Sequence, residues 1–328
     1  MKVAFITEMR FKGKIPSNFT NARTEFAWMH YLNADHFNIF NTNNVKNYDN
    51  VFIIIPKGEV FLNAVGTTLV NSSNPISQIL STNLCGILKQ NNCSKVYYVQ
   101  EGPSWLFNDY NISDQINFFN QLNSFDGIFA HNEHDAKFYK GLFPEKKVEV
   151  FKSLLIEELI NEIKPVKEEK VIIGGNFARW YGGFQSYMVA QTLDLPIWCQ
   201  DSHCKRIGEE KLPNLNHFPR LVWLDWMKAL STFKYAIHLM PTVAAGTFSL
   251  NCAYFGIPCI GNELVDTQRL CHPDLSVNVE DIEKARKLAS QLKNDKDFYN
   301  LCSSEAKSRY RQNYDIKVWK NKIKLQLS

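Results

Sequence analysis

Two parallel-sheet α/β domains in tandem are what this sequence predicts, and three observations predict them. Short, nearly all-apolar segments alternate with helical patterns along the chain. That alternation pauses once, over a charged, proline-containing stretch at 156–170, and then restarts. Glycine-bearing turns separate strand from helix in the second half, at 174–175 and at 246. Apolar strands joined by helical crossovers form a parallel sheet covered on both faces.

Val3–Thr7 is an apolar run, and Ala22–Leu32 has helical spacing through Phe26, Met29 and Leu32. His36–Phe40 and Val51–Pro56 read as strands, Gln78–Leu88 as a helix, Val96–Gln100 as a strand and Ser113–Leu122 as a helix. Strand Gly127–Ala130, helix Asp135–Leu142 and strand Val148–Phe151 complete a first domain over 1–155. Glu157–Glu169, with Pro165, predicts a connecting helix and then a linker.

The second domain, 171–310, starts with strand Val171–Ile173 and helix Gln185–Leu193. Ile197–Cys199 and Leu221–Leu224 read as strands, Trp226–Thr232 as a helix and Ala236–Met240 as a strand. Helix Ser249–Phe255, strand Ile257–Ile260 and helices Val279–Leu292 and Asp297–Tyr310 follow. Within 311–328, Ile316–Leu327 is a basic helix expected to pack back on the first domain.

Composition agrees with this architecture. The chain has 328 residues, 45% hydrophobic and 21% charged, which is the balance of a globular protein long enough for two domains. A formal charge of +4 and a pI near 8.5 are compatible with an anionic partner without requiring one. Eight cysteines are scattered without a CxxC pair, as expected of buried thiols in a reducing compartment. His203-Cys204 resembles half a metal site whose second half is not evident, so no metal site is assigned. The opening apolar run is too short for a signal peptide, and no stretch approaches the roughly 20 apolar residues that span a bilayer. A cytoplasmic protein with no membrane association and no obligate protein partner is expected.

The residues suited to chemistry fall at the carboxyl ends of strands, where ligands bind in such sheets. Gly174 and Gly175 let backbone approach a ligand closely, and Arg179 offers a guanidinium fork for a diphosphate, or else a surface charge. Gly246 opens the helix that runs to Gly256. Thr247 or Ser249 is expected to cap it and leave N–H groups for phosphate, while Asn251 is placed for a ribose hydroxyl. Trp223 and Leu224 end a strand where a planar base could lodge, or else belong to the core.

Glu101, between an apolar strand and Gly102-Pro103, is suited to act as a general base, with a turn or cap role as the alternative and Asp109, Asp126 and Glu25 as rivals. The long first loop carries Arg10, Lys12 and Lys14, expected with Glu25 on the acceptor or sugar side. Arg10, Lys12 and Lys14 could meet phosphates there, and a solvated mobile loop is the alternative. His131–Asp135 reads as a helix cap. Asp295-Lys296-Asp297 is the one DxD and lies away from any strand end. The dinucleotide fingerprint GxGxxG is absent, which argues against an NAD-dependent oxidoreductase.

Two Rossmann-like domains facing across a cleft form the GT-B architecture. A diphosphate pocket opposite a carboxylate predicts glycosyl transfer from a nucleotide-sugar. In order along the chain, MKVAFIT, a long loop reaching IPS, NYDNVFIII, KVYYVQEGP, VIIGGNFARWYGG and the helix before GIPCI resemble the DNA β-glucosyltransferases of T-even phages. That resemblance implies an inverting transfer of glucose from UDP-glucose to 5-hydroxymethylcytosine in double-stranded DNA. It implies Glu101 as the catalytic carboxylate, Arg179 on the diphosphate and Asn251 in the ribose-binding helix. Asn251 stands where that family has a glutamate, and Gly182, Gly183 and Phe184 occupy the neighbourhood of a second arginine, which leaves the sugar of the donor open. The alternatives are a saccharide or glycan acceptor, a nucleotide-sugar epimerase and a non-catalytic nucleotide-binding module.

Overall fold

The computed structural model describes residues 1–7, 9, 11–16, 24–54, 84–100, 102–109, 112–178, 180–200 and 206–327. Arg10, Glu101 and Arg179 lie outside these residues, as do His203 and Cys204. The chain divides into two compact units, one carrying the first six strands together with the chain from Ile323, the other spanning Ser153–Lys322.

In the first unit β1 (Val3–Thr7), β2 (Asp35–Asn38), β3 (Asn50–Ile54), β4 (Lys95–Val99), β5 (Gly127–Ala130) and β6 (Lys147–Val150) form one parallel sheet, ordered β2-β1-β3-β4-β5-β6. Every residue of β1, β3 and β5 is buried, which is why these strands read as continuous apolar runs. The register aligns Phe5 with Phe52 and Phe52 with Tyr97. Their ring centroids lie 4.9 and 5.3 Å apart, making an aromatic ladder across one face. Gly127 faces Tyr97 in register, and a Cβ there would meet the ring at 3.2 Å and the Lys147 carbonyl at 2.9 Å. Trp28 of helix α1 (Thr24–Tyr31) stacks on Phe151 at 4.1 Å over this face. Ala4, Ile6, Val51, Ile53 and Val96 pack with Leu88 of α2 (Leu84–Gln90) and with Phe118 and Leu122 of α3 (Ile112–Ser124).

The second sheet is also parallel, from β7 (Glu168–Ile173), β8 (Ile197–Gln200), β9 (Leu215–Phe218), β10 (Phe233–His238), β11 (Cys259–Asn262) and β12 (Ser276–Val277), ordered β12-β11-β10-β7-β8-β9. The chain leaves β7 to build one side as far as β9, then returns to β10 on the other side. The sheet therefore reverses direction between β7 and β10, the position at which doubly wound folds bind ligands. Odd and even positions along the strands supply separate cores. Val171, Ile173, Tyr235 and Ile237 enter one, while Ile172 and Ala236 enter the other. Helices α4 (Glu133–Leu142) in the first unit and α5 (Gly183–Ala190), α6 (Trp223–Leu230), α7 (Thr247–Phe255) and α8 (Asp266–Cys271) in the second connect strands. Helices α9 (Ile282–Asn294), α10 (Lys296–Tyr314) and α11 (Ile316–Leu327) end the chain.

Asn132 caps α4, its Oδ1 accepting the Asp135 N–H at 2.8 Å, in line with the cap expected there. Asp295 caps α10 by accepting the Phe298 N–H at 2.9 Å, so that carboxylate of the DxD sequence is spent locally.

Two expected elements differ. Leu221–Leu224 is not a strand: Trp223 and Leu224 begin α6, and Met227 and Leu230 are its buried residues at helical spacing. The strand is Leu215–Phe218 instead, at the sheet edge and half-buried along its length. The connecting helix over Glu157–Glu169 reduces to a single 3-10 turn, Glu157–Leu159, and β7 already begins at Glu168. Glu157 accepts the Tyr310 hydroxyl at 2.8 Å and pairs with Arg311, so its carboxylate anchors α10.

At the end of the chain Gln326 donates to Glu149 Oε2 at 2.9 Å, and Lys147 Nζ donates to the Gln326 carbonyl, both within the first unit. Among the described residues no helix is long and apolar enough to cross a membrane.

Candidate functional site

The sheet reversal in the second unit gathers three glycine-led turns. After β7, the Gly174 N–H donates to the Ile237 carbonyl at 2.8 Å, which holds the start of the turn against β10. Gly175 follows with φ +75°, a conformation that favours glycine. Asn176 is buried and its Oδ1 accepts the Ala178 N–H at 2.8 Å. Gly182, at φ +64°, is the N-cap of α5. A Cβ there would fall 1.9 Å from the Leu239 carbonyl oxygen. The Ser186 hydroxyl donates to the Gly182 carbonyl at 2.8 Å and accepts the Leu239 N–H at 2.9 Å. The turn after β7 is thereby locked to the end of β10.

Gly246 is the N-cap of α7 at φ +67°, and a Cβ there would lie 1.9 Å from Thr267 Oγ1. The expected cap by Thr247 or Ser249 does not form. Thr247 is exposed, and the Ser249 hydroxyl bonds the Gly246 carbonyl at 3.1 Å and Thr267 Oγ1 at 2.7 Å. The Thr267 hydroxyl donates to the same carbonyl at 2.7 Å. Both hydroxyls thus hold the glycine turn in place from behind. Among the described residues the starts of α5 and α7 have no side-chain cap, which leaves first-turn N–H groups open to solvent or a ligand.

His238, at the end of β10, links these turns. Its ring fills the space beside Gly174, where a Cβ would come within 2.5 Å of its Cγ, and it meets Phe248 of α7 edge-on at 4.9 Å. Among the described residues its Nε2 is buried without a hydrogen-bond partner. Burial pushes its pKa down to about 4, so the ring is neutral near pH 7. Asn251, one turn into α7, is buried, and its Oδ1 likewise lacks a partner among the described residues. Trp226 of α6 approaches Phe248 at 6.3 Å, while Trp223 and Leu224 in the first turn of α6 lie half-buried against the core.

Of the residues assigned to the donor from sequence, Gly174, Gly175 and Gly246 stand on the turns that His238 and Phe248 link, and Asn251 lies further along α7. His238 itself was missed. Its one sequence signal is an ionisable residue closing the apolar run FKYAIH.

In the first unit, the residues flanking position 101 are closely held. Gln100 is fully buried. Its Oε1 accepts the Tyr98 hydroxyl at 3.0 Å and the Tyr139 hydroxyl, and its Nε2 donates to the Gly102 carbonyl at 2.7 Å. On the other side the Ser104 N–H donates to Asp135 Oδ1 at 3.1 Å, and Asn132 Nδ2 donates to Asp135 Oδ2 at 2.8 Å. Burial raises the pKa of Asp135 despite these bonds.

Within the first loop, the described stretch 11–16 is tied to β2. Gly13 and His36 exchange backbone hydrogen bonds at 2.9 and 2.8 Å, and Lys14 pairs with Asp35 at 3.0 Å. Lys14 is therefore engaged by β2, whereas Lys12 is exposed. Buried His36 bonds the Phe11 carbonyl through Nδ1 at 2.7 Å and Thr7 Oγ1 through Nε2 at 2.8 Å. The carbonyl can only accept, so Nδ1 carries the proton and Thr7 donates to Nε2. Glu25 lies half-buried in the first turn of α1.

No family model and no curated protein matches this sequence. Solved structures do match its fold. An alpha-glucosyltransferase in complex with UDP and a 13-mer DNA containing a HMU base gives a TM-score of 0.66 at 12% identity, over 99% of this chain and 98% of that one. An alpha,alpha-trehalose-phosphate synthase (UDP-forming) from Burkholderia vietnamiensis gives 0.62 at 7% identity, over 100% and 99%. A point mutant of S. aureus TarM, in complex with Fondaparinux, alpha-GlcNAc-glycerol and UDP, gives 0.58 at 12% identity, over 84% and 55%. The shared feature is the GT-B fold of two Rossmann-like domains.

Proposed function

We propose that this chain is a glycosyltransferase that takes its sugar from a UDP-sugar, with the second unit holding the nucleotide. The observation that carries this reading is His238: an imidazole nitrogen buried without a partner among the described residues, between two glycine-led turns, at the point where the strand order reverses. Buried polar atoms are seldom left unpaired, and one at a ligand-binding position is suited to a ligand's oxygen. The uncapped starts of α5 and α7 suit a diphosphate, and Arg179 is assigned to its charge. Asn251 is assigned to the ribose. UDP complexes among the structural neighbours support the choice of nucleotide.

Glu101 is assigned as the general base that removes the acceptor proton as the oxygen attacks the anomeric carbon. The leaving diphosphate carries away the bonding electron pair. The ordered flanks at Gln100 and Ser104 suit a position where a carboxylate must be aimed. The proposed acceptor is a hydroxymethylated base in double-stranded DNA, flipped out of the stack to reach the site. The DNA-bound alpha-glucosyltransferase supports that acceptor, while TarM and the trehalose-phosphate synthase keep a saccharide or other small acceptor as the second reading.

The test is transfer from radiolabelled UDP-glucose to hydroxymethylated duplex DNA, with plain DNA and saccharides in parallel. Label entering hydroxymethylated DNA alone supports the reading. Equal transfer to small sugars moves the acceptor, and failure to bind or turn over any UDP-sugar removes the proposal. The anomeric configuration of the product decides the stereochemistry: inversion by Glu101 predicts a beta linkage from an alpha-linked donor, whereas the neighbours are named for alpha products.

A further inference from the structure

At the outer edge of the second sheet, three side chains capable of holding a soft divalent cation come together. Cys199 on β8 and His217 on β9 are direct register partners, which places thiol and imidazole side by side on one face. Glu209, from the 3-10 turn Glu209–Lys211 between those strands, reaches both. His217 Nε2 lies 2.7 Å from Glu209 Oε1, and Cys199 Sγ lies 4.0 Å from the same oxygen. One donor atom from each of the three falls within 4.8 Å of the others.

The electrostatics of Glu209 point the same way. Its side chain is 3% exposed, yet among the described residues no lysine or arginine side chain pairs with it. Its second oxygen accepts the Arg206 backbone N–H at 3.0 Å, its one partner among the described residues. Among the described residues this buried carboxylate is supported by one imidazole, one thiol and one amide, without the lysine or arginine that usually compensates burial. That amide also orients the carboxylate, as outer partners do for metal ligands.

We propose that Cys199, Glu209 and His217 form a Zn²⁺ site that fastens β8 to β9. Thiolate and imidazole select zinc over magnesium or calcium, which prefer all-oxygen sets. Tetrahedral zinc separates its donors by roughly 3.3–3.8 Å, the nitrogen–oxygen pair at the short end, so His217 and Glu209 must part by about 0.6 Å and Cys199 must close on them. Binding releases the Cys199 thiol proton to solvent. His217 ligates through Nε2 in its neutral form, its remaining proton sitting on Nδ1. The three donors leave the fourth tetrahedral position to water.

The experiment uses the full chain, stripped of metal under reducing conditions and then titrated with Zn²⁺. Native mass spectrometry should show one zinc per chain. The melting midpoint should rise by roughly 5 °C or more with excess Zn²⁺ and stay unchanged with Mg²⁺. Co²⁺ substitution should give a thiolate-to-metal charge-transfer band. His217→Gln, on the half-buried edge strand, and Glu209→Gln should each lower zinc affinity at least tenfold while keeping the metal-free midpoint within a few degrees. Cys199→Ser should abolish the cobalt band. A chain that takes up no stoichiometric zinc overturns the proposal, as does undiminished affinity in His217→Gln. A cobalt band that survives Cys199→Ser but is lost in Cys204→Ser would also overturn it, by giving the thiolate to a different cysteine.

Discussion

The His238 ring occupies the space that any side chain at position 174 would need, since a Cβ on Gly174 would lie 2.5 Å from its Cγ and 2.6 Å from its Cδ2. Glycine here is the condition for a histidine at the end of β10 to lie flat against the turn after β7. Gly174→Ala should therefore push the ring toward Phe248 and disturb both turns at once. The expected cost is about 1–3 kcal/mol of stability together with at least a tenfold loss of UDP affinity. Chemical denaturation and calorimetric titration with UDP measure the two effects separately.

His238→Phe separates ligand binding from folding. It removes a buried nitrogen that has no partner among the described residues, so the ligand-free protein should be as stable as the parent or more so. If that nitrogen serves the nucleotide, UDP should bind at least tenfold more weakly and raise the melting midpoint less. Unchanged UDP affinity in this variant would remove His238 from the site.

Acid should destabilise the second unit through His238 and His272. Burial lowers both to about 4, against an unperturbed value near 6.5. As pH falls below about 6.5 the unfolded chain takes up these protons first. The stability they contribute is complete above that pH and is lost between about 6.5 and 4. At pH 5 the loss should reach on the order of 2 kcal/mol per histidine. Urea midpoints at pH 7.5, 6 and 5 should show this slope, and His272→Gln should flatten it.

Gln100→Leu should affect the first unit alone. Two buried tyrosine hydroxyls lose their shared acceptor and the Gly102 carbonyl loses a donor, at a cost of roughly 2–3 kcal/mol. Transfer should fall with it, while UDP affinity, assigned to the other unit, should hold. Glu101→Gln should abolish transfer and leave both stability and UDP affinity unchanged, as read by single-turnover assay and calorimetry.

Lys14→Ala removes the side chain that ties the first loop to Asp35. Its ion pair with Asp35 is half-exposed and should contribute less than about 1 kcal/mol. Both side chains are exposed, but Lys14 is held by Asp35, so DNA affinity should change less than it does in Lys12→Ala. Salt-dependent binding to a DNA duplex measures both variants.

The elements legible in the sequence were those whose burial is symmetric. β1, β3 and β5 are covered on both faces and are therefore without polar side chains except at two strand ends, Thr7 and Asn50. β9 is an edge strand, half-buried throughout, and Leu-Asn-His-Phe carries almost no periodic signal. The neighbouring Leu-Val-Trp-Leu mimicked a strand because the first turn of α6 happens to be apolar on consecutive positions. Charge alone suggested a helix after Glu157, but that carboxylate is drawn to Tyr310 and Arg311, more than 150 residues further on. The glycines of the candidate site were visible because their geometry is local. His238 and the Cys199–Glu209–His217 cluster were hidden, since strand order and register decide what they face, and neither is written in a local pattern.

The clasp between Gln326 and Glu149 sets a timetable for biosynthesis. Strand β6 is translated 177 residues before the glutamine that bonds it. At roughly 5–20 residues per second, the wait is about 10–35 seconds. Through that interval the outer margin of the first sheet stays unsealed on the ribosome, and the second unit can complete its own core before the first receives its final turn of helix.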